Sequence, residues 1–280
     1  MEMKTKFVEA NGMRFNVFDE GSGEPILLLH GFPDSMQVWR DVIPPLLDAG
    51  YRVIAPDHRG FDETATPENV SDYDMPNLIA DIIHLLAALG VKEKVKLVGH
   101  DWGAGLGWAA VISKPEYFSS YVAMSTGHTI SYNKEGGFEQ EVKKWYILCF
   151  LMENHFAEQL FSQNDWAALR LFTQNHPEMD INWKPDMERP GRFTAAINWY
   201  RANITRAMKA APGPLPPNVT VPVLGIYSDG DWYLSEKQMT ESHKYVDNWT
   251  YQVIQGCGHW IPLDKPLEAA DIILNYYKTL

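Results

Sequence analysis

Apolar positions along this chain follow one rhythm to about residue 125, another to about 217, and then the first again. Phe7–Glu9 and Met13–Phe18 read as two strands of a hairpin around Asn11-Gly12, a strong turn pair. Ile26–Leu29 is continuously apolar, as expected of a strand covered on both faces. Val38–Leu47 reads as helical, interrupted by Pro44-Pro45, and Tyr51–Ala55 as the next strand. Leu78–Leu89 has helical spacing and stops at Gly90. Val95–Val98 and Tyr121–Met124 are further strands, separated by a small-residue helix. Strand and helix in alternation predict crossover connections and a mostly parallel sheet.

From 126 to 217 no strand pattern is visible and aromatic residues are dense. Helices are expected over Glu139–Leu151, Ala157–Leu160, Asp165–Phe172 and Thr194–Lys209. The segment closes on Ala211-Pro-Gly-Pro-Leu-Pro-Pro217, a stiff exit. Strands return at Pro222–Tyr227 and Tyr251–Ile254, and Leu263–Tyr277 reads as a terminal helix. The pattern predicts an α/β core built from 1–125 and 218–280. A helical domain, 126–217, is expected to cover the carboxyl edge of the sheet, where ligands bind in open α/β sheets.

The 280 residues are 45% hydrophobic and 21% charged, enough apolar material for a sizeable core. The formal net charge is −12, which argues against nucleic acid or an anionic membrane as partner, since both need basic patches. Two cysteines, Cys149 and Cys257, make no disulfide framework or C-x-x-C pair and are expected to be reduced. The first residues lack the apolar stretch of a signal peptide, and no run reaches membrane-span length. A soluble, cytoplasmic protein is expected.

The candidate chemistry begins at Gly99-His100-Asp101-Trp102-Gly103, between the strand Val95–Val98 and the following helix. This is the shape of a nucleophile elbow, where glycines allow a tight, crowded turn. A serine at its centre would suggest an esterase. Asp101 suggests attack on an sp3 carbon and a covalent ester that water must release. Release needs a base, and His259 in Gly256-Cys-Gly-His-Trp260 stands last in chain order, as expected. An acid should orient it, and Tyr227-Ser-Asp-Gly-Asp231 offers Asp229 and Asp231. His30-Gly31-Phe32-Pro33 follows the strand Ile26–Leu29. Phe32 N–H and Trp102 N–H are the expected oxyanion donors. Phe32-Pro33 is a candidate cis peptide.

Together these residues resemble the α/β-hydrolase superfamily and, more narrowly, its aspartate-nucleophile epoxide hydrolases, from about Phe7 to Leu280. The resemblance implies that fold, a mostly parallel sheet flanked by helices with an inserted helical cap. It also implies two cap tyrosines that donate hydrogen bonds to the epoxide oxygen. Asn198-Trp199-Tyr200-Arg201-Ala202-Asn203-Ile204 resembles the family's aromatic-Tyr-Arg stretch and points to Tyr200; Trp145-Tyr146-Ile147-Leu148 points to Tyr146. A phenol, with pKa about 10, stays protonated and can donate to a developing alkoxide. Tyr132 and Tyr233 are the rivals among 13 tyrosines. Asp231-Trp-Tyr-Leu234 resembles the stretch that opens with the family's charge-relay acid, which favours Asp231 over Asp229. One departure is Asp62 and Thr64, where the family usually has glycine and serine.

What the resemblance implies is an epoxide opened to a vicinal diol with water. No metal or cofactor is expected, and the partner is a small molecule, with the protein a monomer or homodimer. Haloalkane dehalogenation is the nearest alternative, but it needs a second halide donor where Phe32 stands. A non-catalytic ligand-binding relative is the alternative of another class.

Overall fold

The chain's structure, a computed structural model, describes residues 3–209 and 215–280. Eight strands form one sheet in the order β1-β2-β4-β3-β5-β6-β7-β8. β1 (Thr5–Ala10) and β2 (Met13–Glu20) make the expected antiparallel hairpin. Asn11 and Gly12 sit at φ 48° and 72°, the left-handed pair that a two-residue hairpin turn requires. β2 pairs antiparallel with β4 (Arg52–Pro56). β3 (Pro25–Leu29), β5 (Val95–His100), β6 (Phe118–Met124), β7 (Val223–Ser228) and β8 (Trp249–Ile254) continue the sheet in parallel.

The continuous apolar run of β3 has a direct cause. Leu27 and Leu29 join one apolar layer, while Ile26 and Leu28 join the other. All are fully buried, and burial of each such side chain stabilises by about 1.5–3 kcal/mol. α1 (Ile43–Asp48) and, at the other end of the chain, the terminal helix supply Ile43, Leu46, Ala269 and Ile273 to the second layer. α2 (Met75–Ala88) and α3 (Trp102–Ser113) cover the opposite face. The Asp74 carboxylate caps α2 by accepting from Asn77 N–H at 3.1 Å, a bond worth about 1 kcal/mol. α3 lies close to the sheet because Gly107 has no side chain: a Cβ there would fall 2.6 Å from the Tyr121 hydroxyl.

Between β6 and β7 the described residues hold helices and no strand. They are α4 (Thr129–Lys134), α5 (Gly137–Lys143), α6 (Trp145–Leu151), α7 (Phe156–Phe172), a π-helical turn Met179–Trp183, α8 (Lys184–Met187) and α9 (Arg192–Lys209). Ala211–Pro214 of the proline-rich exit lies outside the described residues. After β7 come α10 (Glu236–Thr240), α11 (Ile261–Asp264) and α12 (Pro266–Tyr277). Among the described residues no helix is long and apolar enough to cross a membrane.

Several expected helices are shorter than their apolar spacing implied. Val38–Leu47 resolves into a 3-10 turn, Met36–Trp39, and α1, with Pro44 and Pro45 in the first turn of α1, where missing N–H groups cost nothing. Glu139–Leu151 is broken at Lys144, whose ψ is 15°. Ala157–Leu160 and Asp165–Phe172 fall in one helix kinked at Gln163–Trp166, where Asn164 and Asp165 take left-handed φ. Leu263–Tyr277 is two helices, because Pro266 forces Lys265 out of helical geometry (φ −137°, ψ 51°).

Candidate active site

The expected residues converge at the carboxyl ends of β3, β5, β7 and β8. Asp101 leaves β5 at φ 53° and ψ −118°, a strained elbow that throws its side chain upward from the sheet. The neighbouring glycines are required by contact. A Cβ on Gly31 would fall 2.5 Å from Asp101 Oδ1, and one on Gly103 would overlap the Leu29 and His30 carbonyls. Gly105, one helical turn on, is open, with nothing closer than 3.9 Å.

The two carboxylate oxygens of Asp101 have different surroundings. Oδ1 accepts from Phe32 N–H at 2.8 Å, while Oδ2 faces His259 Nε2 at 3.6 Å. His259 Nδ1 lies 2.8 Å from Asp231 Oδ2, and Asp231 Oδ1 accepts from Tyr233 N–H and Leu234 N–H at 2.8 and 3.0 Å. Asp229 does another job: its carboxylate accepts from Gly256 N–H and Cys257 N–H and shapes the turn that leads to His259. Trp102 N–H, at the first residue of α3, makes no hydrogen bond among the described residues. The Phe32-Pro33 peptide is cis.

Charge follows this geometry. Burial opposes the His259 imidazolium, but the Asp231 charge and the Asp101 carboxylate outweigh it and push its pKa up to about 10. Burial raises the Asp101 pKa, yet His259 and the Phe32 N–H more than offset this, and it lies below the ordinary value. The resting centre is therefore an imidazolium between two carboxylates. His100 Nε2 donates to the His259 carbonyl at 2.8 Å, and burial lowers its pKa to about 4, so it stays neutral. His30 is likewise neutral: Nδ1 donates to Gly31 O and Nε2 accepts from His58 N–H, so the tautomer follows from its partners.

Tyr146, on α6, and Tyr200, on α9, face each other with ring centroids 6.0 Å apart at 82°. Both are almost wholly buried. Burial raises both pKa values. Tyr200 packs on Phe32 and Trp102, the two residues that flank Asp101, with ring centroids 5.7 and 5.0 Å away. Phe32, Phe150 and Phe172 enclose the pair; Phe150 and Tyr200 are 4.9 Å apart. Of the rivals, Tyr132 is half-buried on α4 and its phenol is pushed up by burial and by the Asp101 charge. Tyr233 packs between Tyr146 and His259, but its hydroxyl donates to Phe172 O.

Several residues at the site were invisible as sequence. Asp34 is buried, accepts from Trp183 Nε1 at 2.6 Å, and burial raises its carboxyl pKa well above the usual range. Gln140 and Lys143 reach the Asp231 loop through backbone carbonyls. Asp62, at the position where the family usually has glycine, takes φ 41° and accepts from Arg189 Nη1 at 3.2 Å; Thr64 Oγ1 donates to Asp57 O. That loop thus meets the helical insertion rather than Asp101.

Comparison with known proteins agrees with this frame. The alpha/beta hydrolase fold family matches residues 24–266. The AB hydrolase superfamily protein YfhM of Bacillus subtilis (strain 168) is 33% identical over 99% of this chain and 98% of its own length. Bifunctional epoxide hydrolase 2 of Sus scrofa is 27% identical over 96% of this chain, which spans about half, 54%, of that protein. A crystal structure of an epoxide hydrolase from Vigna radiata is 27% identical, with a TM-score of 0.83 over 100% of this chain and 99% of that one. The strand order, the elbow and these matches together show that the chain belongs to the α/β-hydrolase fold family.

Proposed function

We propose that this protein hydrolyses epoxides to vicinal diols through a covalent ester on Asp101, with residues 126–217 acting as a cap over the site. The observation that carries this reading is an aspartate at the elbow with two phenols above it: Tyr146 faces Tyr200, and Tyr200 packs on Trp102 and Phe32, which flank Asp101. The relatives named as epoxide hydrolases support it.

In the first step, Asp101 Oδ2 attacks a ring carbon and the C–O bond on the opposite side breaks. Tyr146 and Tyr200 donate hydrogen bonds to the developing alkoxide. Alkylation removes the Asp101 charge, one of the two anions that hold the proton on His259. His259 then loses its proton, which balances the proton that the alkoxide gains. The neutral imidazole, oriented by Asp231, takes a proton from water, and the hydroxide attacks Asp101 Cγ. Oδ1 becomes the oxyanion, held by Phe32 N–H and by the free Trp102 N–H. The ester bond breaks, and the diol leaves with Oδ2.

Dehalogenation by the same carboxylate would need two N–H donors for halide. Position 32 carries Phe, whose side chain has no N–H to donate. The test is to incubate the protein separately with styrene oxide and with 1-bromobutane. Diol without bromide is expected. Bromide without diol would replace the reading by the dehalogenase one, and neither product would favour a ligand-binding relative.

A further inference from the structure

The loop that carries Asp231 is held from the other side of the site. Gln140, fully buried on α5, pairs with it twice: Nε2 donates to Tyr233 O at 3.0 Å, and Oε1 accepts from Ser235 N–H at 2.9 Å. Lys143, one turn further along α5, donates from Nζ to Asp231 O at 2.6 Å and to Leu234 O at 2.9 Å. The Tyr233 hydroxyl donates to Phe172 O at the end of α7. The carbonyls of Asp231, Tyr233 and Leu234 therefore all accept from the two α5 side chains. The core itself offers less to this loop: Asp231 N–H donates to Ser228 O, and the Tyr227 hydroxyl to Leu234 O.

Buried backbone groups must be paired, so the loop cannot hold this shape once α5 withdraws. The shape has a chemical consequence two residues away. The N–H groups of Tyr233 and Leu234 fix Asp231 Oδ1, and this aims Oδ2 at His259 Nδ1. We propose that Gln140 and Lys143 are positioning residues for the Asp231–His259 pair, so that seating of α5 and assembly of that pair are one event. The inference rests on the proposed function for the meaning of the pair, and on the contacts alone for the positioning.

In the proposed reaction the contributions then separate by step. Asp101 and the tyrosines carry alkylation, while Asp231 and His259 carry ester hydrolysis. Loosening α5 slows the second step more than the first.

The test uses the whole chain with Lys143→Met, Gln140→Leu and Lys143→Arg. Two readouts are taken: the titration of His259 by NMR, and the rates of ester formation and decay with an epoxide under single-turnover conditions. The titratable groups facing His259 are Asp101, Asp231, His100, Tyr233 and buried Asp34, and none of them is altered. In Lys143→Met and Gln140→Leu the His259 midpoint is expected to fall by about one unit as Asp231 drifts from it. Ester decay is expected to slow about tenfold, part of a general-base contribution of about 10²–10⁴, with ester formation little changed. Lys143→Arg, which keeps a donor, restores both. Lys143 lies at a partly exposed edge, so it decides the matter if Gln140→Leu does not fold. An unchanged midpoint, or formation and decay falling together, overturns the proposal. Should the parent chain form neither ester nor diol, the functional reading fails while the His259 midpoint still decides the positioning.

Discussion

His259 Nε2 lies 3.6 Å from Asp101 Oδ2, too long for a strong hydrogen bond and close enough for the base to address a water bound at the ester. The other Asp101 oxygen is already committed to Phe32 N–H. One carboxylate thus has a held oxygen and one that faces the imidazole, and the proposed attack falls to the second. Removing the base should leave the first half of the reaction intact. His259→Gln is expected to gain the mass of one epoxide at Asp101, seen by intact-protein and peptide mass spectrometry, while turnover falls about 10²–10⁴-fold. A variant that neither turns over nor gains mass would contradict the assignment of His259 to hydrolysis.

The tyrosines should act on the other half. Tyr146→Phe and Tyr200→Phe keep the rings that pack against Phe150 and Phe172, so unfolding temperatures should change little. Each should slow ester formation about 10²-fold and leave ester decay nearly unchanged, as stopped-flow measurement would resolve. Tyr233→Phe serves as the comparison. Its hydroxyl is spent on Phe172 O, so ester formation should persist.

Gly31→Ala tests the closeness of the Gly31-Phe32 turn to Asp101. Its Cβ would fall 2.5 Å from Asp101 Oδ1, so either the loop or the carboxylate must move. The expected result is a loss of about 1–3 kcal/mol of stability in urea unfolding, with diol formation abolished. Gly105→Ala, inside α3 with open space around its Cβ, should leave diol formation intact and raise stability by about 0.5–1 kcal/mol.

Stability should carry the imprint of His259. Its pKa is about 6.5 in the unfolded chain and about 10 in the fold, so the folded chain holds the proton more tightly. That contribution is complete below about pH 6.5 and is lost as pH rises toward 10. Urea unfolding between pH 6 and 10 should therefore show falling stability, and His259→Gln should flatten the slope. An identical slope in the variant would mean that the imidazolium is not held by Asp101 and Asp231.

How far the sequence could be read depended on which interaction decided each feature. β3 and the hairpin were legible because burial and turn chemistry leave a local record in Ile26–Leu29 and Asn11-Gly12. Asp101 and His259 depended on motif and chain order, and the preference for Asp231 over Asp229 on the family resemblance; in the fold Asp231 meets His259 while Asp229 binds the turn at 256–257. Helix ends were less legible, because Lys144 and Lys265 break helices through backbone geometry that apolar spacing does not encode. Gln140 and Lys143 left no signal, since polar residues on an amphipathic helix look like solvent-facing ones until their carbonyl partners arrive from residues 231–235. Asp34 was hidden likewise, its partner Trp183 being distant in sequence.

In the proposed reaction the oxygen added to the substrate comes first from Asp101. A single turnover in H₂¹⁸O, with enzyme in excess over a small epoxide, follows that oxygen. An unlabelled diol and one ¹⁸O in the peptide bearing Asp101 are expected. Label in the diol and none in Asp101 would mean that water attacks the epoxide itself, and would contradict the covalent mechanism.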